Sequence, residues 1–271
     1  MRNPRMERLW IGRLAYLSWL GAAGLMLAGA CADNSQNRQE LNAGEDALRA
    51  QQYDRALRAA DDVAASGVAQ NAAEAHYLHG RAIEDRPKPD PAAAAADLAE
   101  ARRYYALALG EYPSPALQGR LRAQIGNVAY FQDDYAVALQ QWTIASAQLD
   151  NPQWKQWILY RIGICQQRLG RFDDADHTFA VVQDEYPGTE VARRAQARQG
   201  VHGFYVQVGA FNDSSDVQKA AYAVTSAGSI AEEIDQRGLK VVRSAGLPSY
   251  AQATALKTRL VGEYPDARVM P

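Results

Sequence analysis

The fold of the larger part of the chain is decided by the stretch GICQQRLGRFDDADHTFAVVQDEYP, residues 163–187. Its opening glycine is followed twelve residues later by Ala175 and, four residues further on, by Phe179; the stretch ends at Pro187. The apolar residues around these landmarks recur at helical spacing. Small residues at the glycine and alanine positions let two helices approach closely, and the aromatic ring fills the gap against the next hairpin. The stretch therefore predicts a helical hairpin.

The same landmarks recur towards the N-terminus. The glycines are separated by 36, 46 and 37 residues, and they are Gly44, Gly80, Gly126 and Gly163. Twelve residues after the first, third and fourth of these glycines come Ala56, Ala138 and Ala175. Four residues after each alanine come Ala60, Trp142 and Phe179, and three residues before each alanine come Tyr53, Tyr135 and Phe172. In the second repeat, Ala101 and Tyr105 arrive nine residues late. One insertion explains the delay, and the proline-rich residues 86–91 predict that it forms a loop.

These repeats predict a stacked helical array over residues 40–200. One hairpin cannot bury its own apolar face, so at least three must stack, and four are visible. Residues 189–199 are predicted to form a final capping helix. The spacing resembles that of tetratricopeptide (TPR) repeats. The resemblance implies an all-α superhelix whose concave surface binds a protein or peptide partner, which the sequence does not name.

The periodicity changes near Val201, and residues 201–271 predict a small α+β domain. An alternating run at 204–211 indicates the first strand. A helix capped by Asp213 or Ser214, two strands around the turn at residues 237–238, a helix capped by Ser249 and a last strand complete the order βαββαβ. This ferredoxin-like order predicts an antiparallel sheet with both helices on one face and the other face open to solvent. The chain is therefore expected to be multidomain.

Alternation places candidate binding residues on the open sheet face. If Val206 and Val208 point inwards, Tyr205 and Gln207 point outwards, and an aromatic ring beside an amide suits a sugar. The same pattern also fits an ordinary solvated sheet face. On the third strand, one register directs Arg243 outwards and a one-residue slip directs it into the core. Burial of an unpaired arginine is costly, which favours the outward register.

The motif YVQVGAF at residues 205–211 resembles the opening of SPOR domains, and the later strand and alanine-rich helix resemble their second half. SPOR domains recognise peptidoglycan glycan strands that have lost their stem peptides. The resemblance implies the same ligand for this chain, with Tyr205, Gln207 and Arg243 as its binding residues. Gln207 matches the first-strand glutamine of the family.

The N-terminus predicts export and a lipid anchor. Four arginines, an apolar run from residue 14 to residue 30 and small residues before Cys31 follow the order of a secretory signal over residues 1–30. The ending AGAC resembles a bacterial lipobox, which implies that Cys31 is acylated; a retained span and plain secretion are the alternatives. Residues 31–39 are predicted to be a flexible spacer. By resemblance to Gram-negative lipoproteins, Ala32 rather than aspartate after the cysteine implies the outer membrane, on the periplasmic side of the cell envelope.

Charge and residue types argue against several other classes of protein. Residues 1–30 hold four of the 29 basic and one of the 31 acidic side chains, so the remainder has 25 basic and 30 acidic. This balance, and the lack of a basic-aromatic third strand, argue against nucleic-acid binding, although RNA recognition motifs share the βαββαβ order. Cys165 is predicted to be a buried core residue. His76 and His79 are predicted to line a surface or groove, and no metal or cofactor site is predicted.

The combined interpretation is a non-enzymatic envelope scaffold. It would be lipid-anchored at one end and bind peptidoglycan at the other, with the repeats recruiting a protein in cell-wall remodelling or division. One alternative is a periplasmic TPR assembly factor for outer-membrane or envelope complexes, whose wall binding is incidental. A second alternative is a peptidoglycan-processing enzyme, which would need a paired acid and base in a cleft.

Overall fold

A computed structural model describes residues 34–111 and 113–271, apart from the side chain of Gln70. The predicted signal sequence and Cys31 lie outside the described residues. The described residues form two compact units, one that ends at Leu121 and one that runs from Arg122 to Pro271, and the two are described separately below.

The described part of the first unit is helical. Its elements are α1 (residues 34–49), α2 (Tyr53–Ala65), α3 (Ala69–Asp85), α4 (Pro91–Gly110) and the start of α5 (Pro115–Phe131). Helices α2, α3 and α4 pack in succession. A Cβ on Gly80 would lie 2.6 Å from the ring of Tyr105, and a Cβ on Gly44 would lie 2.5 Å from Leu78. The predicted small-residue contacts are therefore present, and Leu78 fills the space beside Gly44 in the repeat where Ala60 replaces an aromatic.

The predicted flexible spacer is wrong for residues 34–39, because they are helical. Asn37 is buried and its Nδ2 donates to Ser66 Oγ at 2.7 Å. Asn71 Nδ2 donates to Asn34 Oδ1 at 2.8 Å. Tertiary hydrogen bonds thus satisfy the polar side chains whose composition indicated a spacer.

The insertion in the second repeat mainly lengthens α4, to 20 residues, and only a short connection precedes it. Arg86 holds this connection by donating from Nε and Nη2 to the two carboxylate oxygens of Asp97, at 2.9 and 2.6 Å. Lys88 caps the C-terminus of α3 by donating to carbonyl oxygens, including that of Ile83. The predicted loop is therefore short and tethered.

His79 does not line a surface, because it is buried between its neighbours. Its ring stacks on Tyr104 with centroids 3.7 Å apart, and its Nδ1 lies 2.8 Å from Asp61 Oδ1. Burial lowers the pKa of this histidine, and Asp61 opposes the shift. The sequence prediction failed because a histidine pair at helical spacing carries no information on which neighbouring ring will cover it.

The second unit continues the hairpins and then adds a sheet. Its helices are the rest of α5, then α6 (Tyr135–Gln148), α7 (Pro152–Arg168), α8 (Phe172–Glu185) and α9 (Glu190–Arg198). Trp142 and Phe179 lie over Gly126 and Gly163 in their own hairpins. Cys165 is completely buried, as predicted. The capping helix predicted after Pro187 is α9, with Thr189 Oγ1 accepting from Ala192 N at 3.1 Å.

The C-terminal part has the predicted βαββαβ order. Its elements are β1 (Tyr205–Phe211), α10 (Ser214–Ser226), β2 (Ala231–Gln236), β3 (Leu239–Ser244), α11 (Tyr250–Leu260) and β4 (Arg268–Met270). The strands form one antiparallel sheet in the order β2-β3-β1-β4. Both helices share one core with Val206, Val208 and Val242, so they cover the same face of the sheet.

Aromatic contacts join this sheet domain to the last two hairpins. Tyr250 meets Tyr135 edge-on with ring centroids 5.5 Å apart, and Phe204 lies 6.3 Å from Phe172. The Arg168 guanidinium lies 4.4 to 4.7 Å from the ring centroids of Tyr130, Tyr135 and Tyr250. The aromatics predicted as repeat landmarks at the start of α6 and α8 thus also contact the C-terminal domain.

Candidate functional site

A row of four side chains crosses the open face of the sheet. Glu232 of β2 is paired with Arg243 of β3, which is paired with Gln207 of β1, and Gln207 is paired with Arg268 of β4. Directly opposed residues of antiparallel strands point to the same face. Neighbouring strands lie about 4.8 Å apart, so the row is about 14 Å long. The structure therefore has the outward register of Arg243, beside Gln207.

Arg243 is held in place from two sides. Its Nε donates to Glu232 Oε2 at 2.9 Å. Its guanidinium carbon lies 4.4 Å from the ring centroid of Tyr205. A guanidinium has five N–H donors, so pairing through Nε leaves donors that can bind hydroxyl or amide oxygens. All three sheet residues predicted for the site are thus together, although the ring of Tyr205 also serves to position Arg243.

Apolar side chains border the polar row. The next row on the same face consists of Ile234, Val241 and Ala210, which are paired across three strands; Ile234 is exposed, whereas Val241 is buried between its neighbours. On the other side, Tyr205 is paired with Met270. Ile230, beside the start of β2, is 74% exposed. Hydrogen-bonding groups between apolar strips match a ligand such as a sugar, which has hydroxyl edges and apolar faces.

A bulge and a buried hydroxyl position this face. The pairing shifts by one residue between Gln207 and Gly209, so Val208 is an extra residue in β1 and remains in the core. A Cβ on Gly209 would lie 2.7 Å from the Phe211 ring. Ser244 is buried, and its Oγ accepts from Val206 N at 2.9 Å. The glycine inside a strand was the sequence signal for the bulge.

A cavity of about 530 Å³ continues from the end of the row. Strand β4 pairs only with residues 205–207, and the cavity lies beside the following part of β1. Gln207 and Arg268 line it together with Glu263, Tyr264 and Asp266. Its volume is in the range of small-molecule pockets. Sequence reasoning missed Arg268, because nothing local to the last strand indicates its partner.

The remaining predictions concern the lipid anchor, metal ions and membrane-spanning helices. Cys31, the predicted lipidation site, lies outside the described residues. Over residues 34–111 and 113–271, no His, Cys, Asp and Glu side chains group in threes around a possible metal ion. Within the same ranges, no helix has both the length and the apolar character needed to cross a membrane.

Comparison with known proteins identifies both kinds of module. Residues 201–270 match the model of the SPOR domain family. This part of the chain is a SPOR domain. Residues 158–189 match the tetratricopeptide repeat, within the hairpin formed by α7 and α8. Both are binding modules, the first of the peptidoglycan-binding kind and the second of the protein-interaction kind.

Similarity to whole proteins is more limited. The crystal structure of YrrB, described as a TPR protein with an unusual peptide-binding site, is 20% identical in sequence and has a TM-score of 0.45. The match covers 58% of this chain and 75% of that one. No curated protein matches the chain. The assignment of function therefore depends on the SPOR and TPR modules and on their residues.

Proposed function

We propose that the open face of the SPOR domain binds peptidoglycan glycan strands that have lost their stem peptides. The observation that carries the proposal is the row from Glu232 through Arg243 and Gln207 to Arg268, with apolar residues on both sides. Gln207 would bind hydroxyl or N-acetyl groups at the centre of the row. Arg243, oriented by Glu232 and Tyr205, would donate to sugar oxygens next to it.

We further propose that the whole chain is a non-enzymatic scaffold of the cell envelope. The lipobox-like sequence before Cys31 supports a lipid anchor on the periplasmic side, with the outer membrane favoured by Ala32. The TPR hairpins would bind a protein partner, and the SPOR domain would bind the wall, in cell-wall remodelling or division. Two binding modules, and no catalytic one among the matched families, support a scaffold over an enzyme.

Sedimentation with purified sacculi tests the glycan proposal. The chain should co-sediment better with sacculi whose stem peptides an amidase has removed than with untreated sacculi. Gln207→Ala should reduce this by several-fold, because a sugar-facing amide contributes about 1 kcal/mol or more. Gln218→Ala removes the same type of side chain from the exposed surface of α10, and should have no effect.

The outcomes separate the possible roles. Equal binding to both preparations, or equal loss in Gln207→Ala and Gln218→Ala, would contradict the proposal. Release of soluble muropeptides by the purified chain would indicate an enzyme instead. Enrichment at septa that requires residues 201–271 would support a role in division, and uniform distribution would favour the assembly-factor alternative.

A further inference from the structure

Charge is segregated between neighbouring helices of the second unit. Helix α7 carries three basic side chains and no acidic one, and α9 carries three arginines and one glutamate. Helix α8 carries five acidic side chains and neither lysine nor arginine. Helices α7 and α9 pack against each other. Positive charge is therefore concentrated on the side of the hairpin where α7 meets α9.

On this side, Arg198, the last residue of α9, is held by neutral groups. Its Nε donates to Tyr160 Oη at 3.1 Å, and its Nη1 donates to Gln167 Oε1 at 3.2 Å. Gln167 is only 1% exposed, and its Nε2 is fixed by the carbonyl oxygens of Arg198 and Val201 at 3.0 and 3.1 Å. These partners orient the guanidinium without neutralising its charge, so it is prepared to bind an anionic group.

An exposed tryptophan lies beside Tyr160, which holds this arginine, because the ring centroids of Trp157 and Tyr160 are 6.1 Å apart. Trp157 is 36% exposed, and Trp154, one turn earlier on α7, is 45% exposed. The Arg194 guanidinium lies 5.3 Å from the Trp157 ring centroid. Tryptophan and arginine side by side are the residue types that contribute most to protein–protein binding. We call Trp157, Arg194 and Arg198, together with the buried Tyr160 that holds Arg198, the basic surface.

We propose that the basic surface docks an acidic segment of a partner protein. Carboxylates of the segment pair with Arg198 and with the Nη donors of Arg194, whose Nε already donates to Glu190 Oε1 at 2.8 Å, and an apolar side chain covers Trp157. The proposal rests on the proposed protein-binding role of the TPR hairpins and names the chemistry of the partner. Charge complementarity specifies a short segment, because the chain as a whole has a formal net charge of −2 and does not attract long polyanions.

Fluorescence anisotropy with the full chain tests this proposal. The probe is a fluorescein-labelled peptide of glutamate, leucine and serine, and the matched probe has lysine in place of each glutamate. The acidic probe should bind and the lysine probe should not. Arg198→Gln should weaken binding about tenfold, because a charge-assisted hydrogen bond is lost. Trp157→Ala should weaken it by a similar factor.

The control is Arg193→Gln, which removes the same charge from the same helix. Arg193 is exposed, donates to Glu190 at 2.5 Å and lies outside the basic surface. Its loss should change binding less than twofold, since a surface charge contributes little. Equal effects of Arg193→Gln and Arg198→Gln, or no saturable binding of the acidic probe, would overturn the proposal.

Two further measurements distinguish an acidic peptide from an anionic membrane and from the glycan ligand. One contrary outcome is that the chain binds phosphatidylglycerol vesicles in a way that depends on Arg198 and fails to bind the acidic probe. That result would assign the basic surface to a membrane and refute the proposal of an acidic peptide. Arg198→Gln should still co-sediment with stripped sacculi like the parent chain. A chain that binds the acidic probe but not sacculi would refute the glycan proposal alone.

Discussion

Substitution of Gly126 by alanine tests whether the repeat spacing is dictated by packing. A Cβ at this position would lie 2.5 Å from Cδ1 and Nε1 of Trp142. The indole is 1% exposed, and its Nε1 donates to Ala123 O at 3.1 Å, so the ring cannot move without losing this bond. Ordinary van der Waals contact would require the ring to shift by about 1 Å.

The expected net effect is a loss of about 2 kcal/mol in the free energy of unfolding. Overpacking a buried position costs about 1–3 kcal/mol, and the closeness and fixation of the indole place this case near the upper end. Replacement of a mid-helix glycine by alanine returns about 1 kcal/mol through helix propensity. Urea denaturation followed by circular dichroism measures the change.

Two variants make this test specific. Gly110→Ala, at the exposed end of α4, places a Cβ where no atom lies within 4 Å, and should be neutral or slightly stabilising. Trp142→Phe should restore part of the loss when combined with Gly126→Ala, because a smaller ring leaves room for the methyl group. The packing argument would be refuted by a Gly126→Ala protein as stable as Gly110→Ala, or by additive effects in the double variant.

Three further results are expected. In a Cys31→Ser background, Cys165 should react with a thiol reagent only on unfolding, because burial raises the pKa of its thiol to about 12. Arg168→Ala should lower the free energy of unfolding by about 2 kcal/mol in urea titrations, since three cation–π contacts are lost. Hydrogen bonds from Arg86 lower the pKa of Asp97. The ion pair therefore stabilises the fold above pH ~4, and this stabilisation is lost as the pH falls through the lowered pKa. Thermal melts of Asp97→Asn should show a lower melting temperature at pH 7 and a weaker dependence of that temperature on pH in the acid range.

The repeats could be predicted from sequence because their landmarks are imposed by contacts within and between adjacent hairpins. A glycine over which Trp142 or Phe179 packs must recur at the same distance from that ring, and the sequence displays this distance directly. The start of α1 could not be predicted in the same way. Asn34 and Asn37 are satisfied by Asn71 and Ser66, which lie 37 and 29 residues away in the sequence, and no local pattern indicates such pairs.

The candidate site was predictable on the two central strands. Alternation along β1 identified Tyr205 and Gln207, and the cost of burying a charge chose the outward register of Arg243. Arg268 was missed because β4 has three residues and pairs with a strand sixty residues earlier in the chain. The strand order β2-β3-β1-β4 is a tertiary property, and it alone brings Arg268 beside Gln207.

Pairing of charges on this face also explains why the βαββαβ order does not by itself imply an RNA ligand. Arg243 is matched by Glu232, and Arg268 shares its cavity with the carboxylates of Glu263 and Asp266. Nucleic-acid binding requires positive charge in excess, to replace the counterions of the phosphates. A face whose charges are balanced locally lacks that driving force, but keeps directional donors and acceptors beside apolar strips. Those are the properties that the proposed recognition of glycan hydroxyl and amide groups requires.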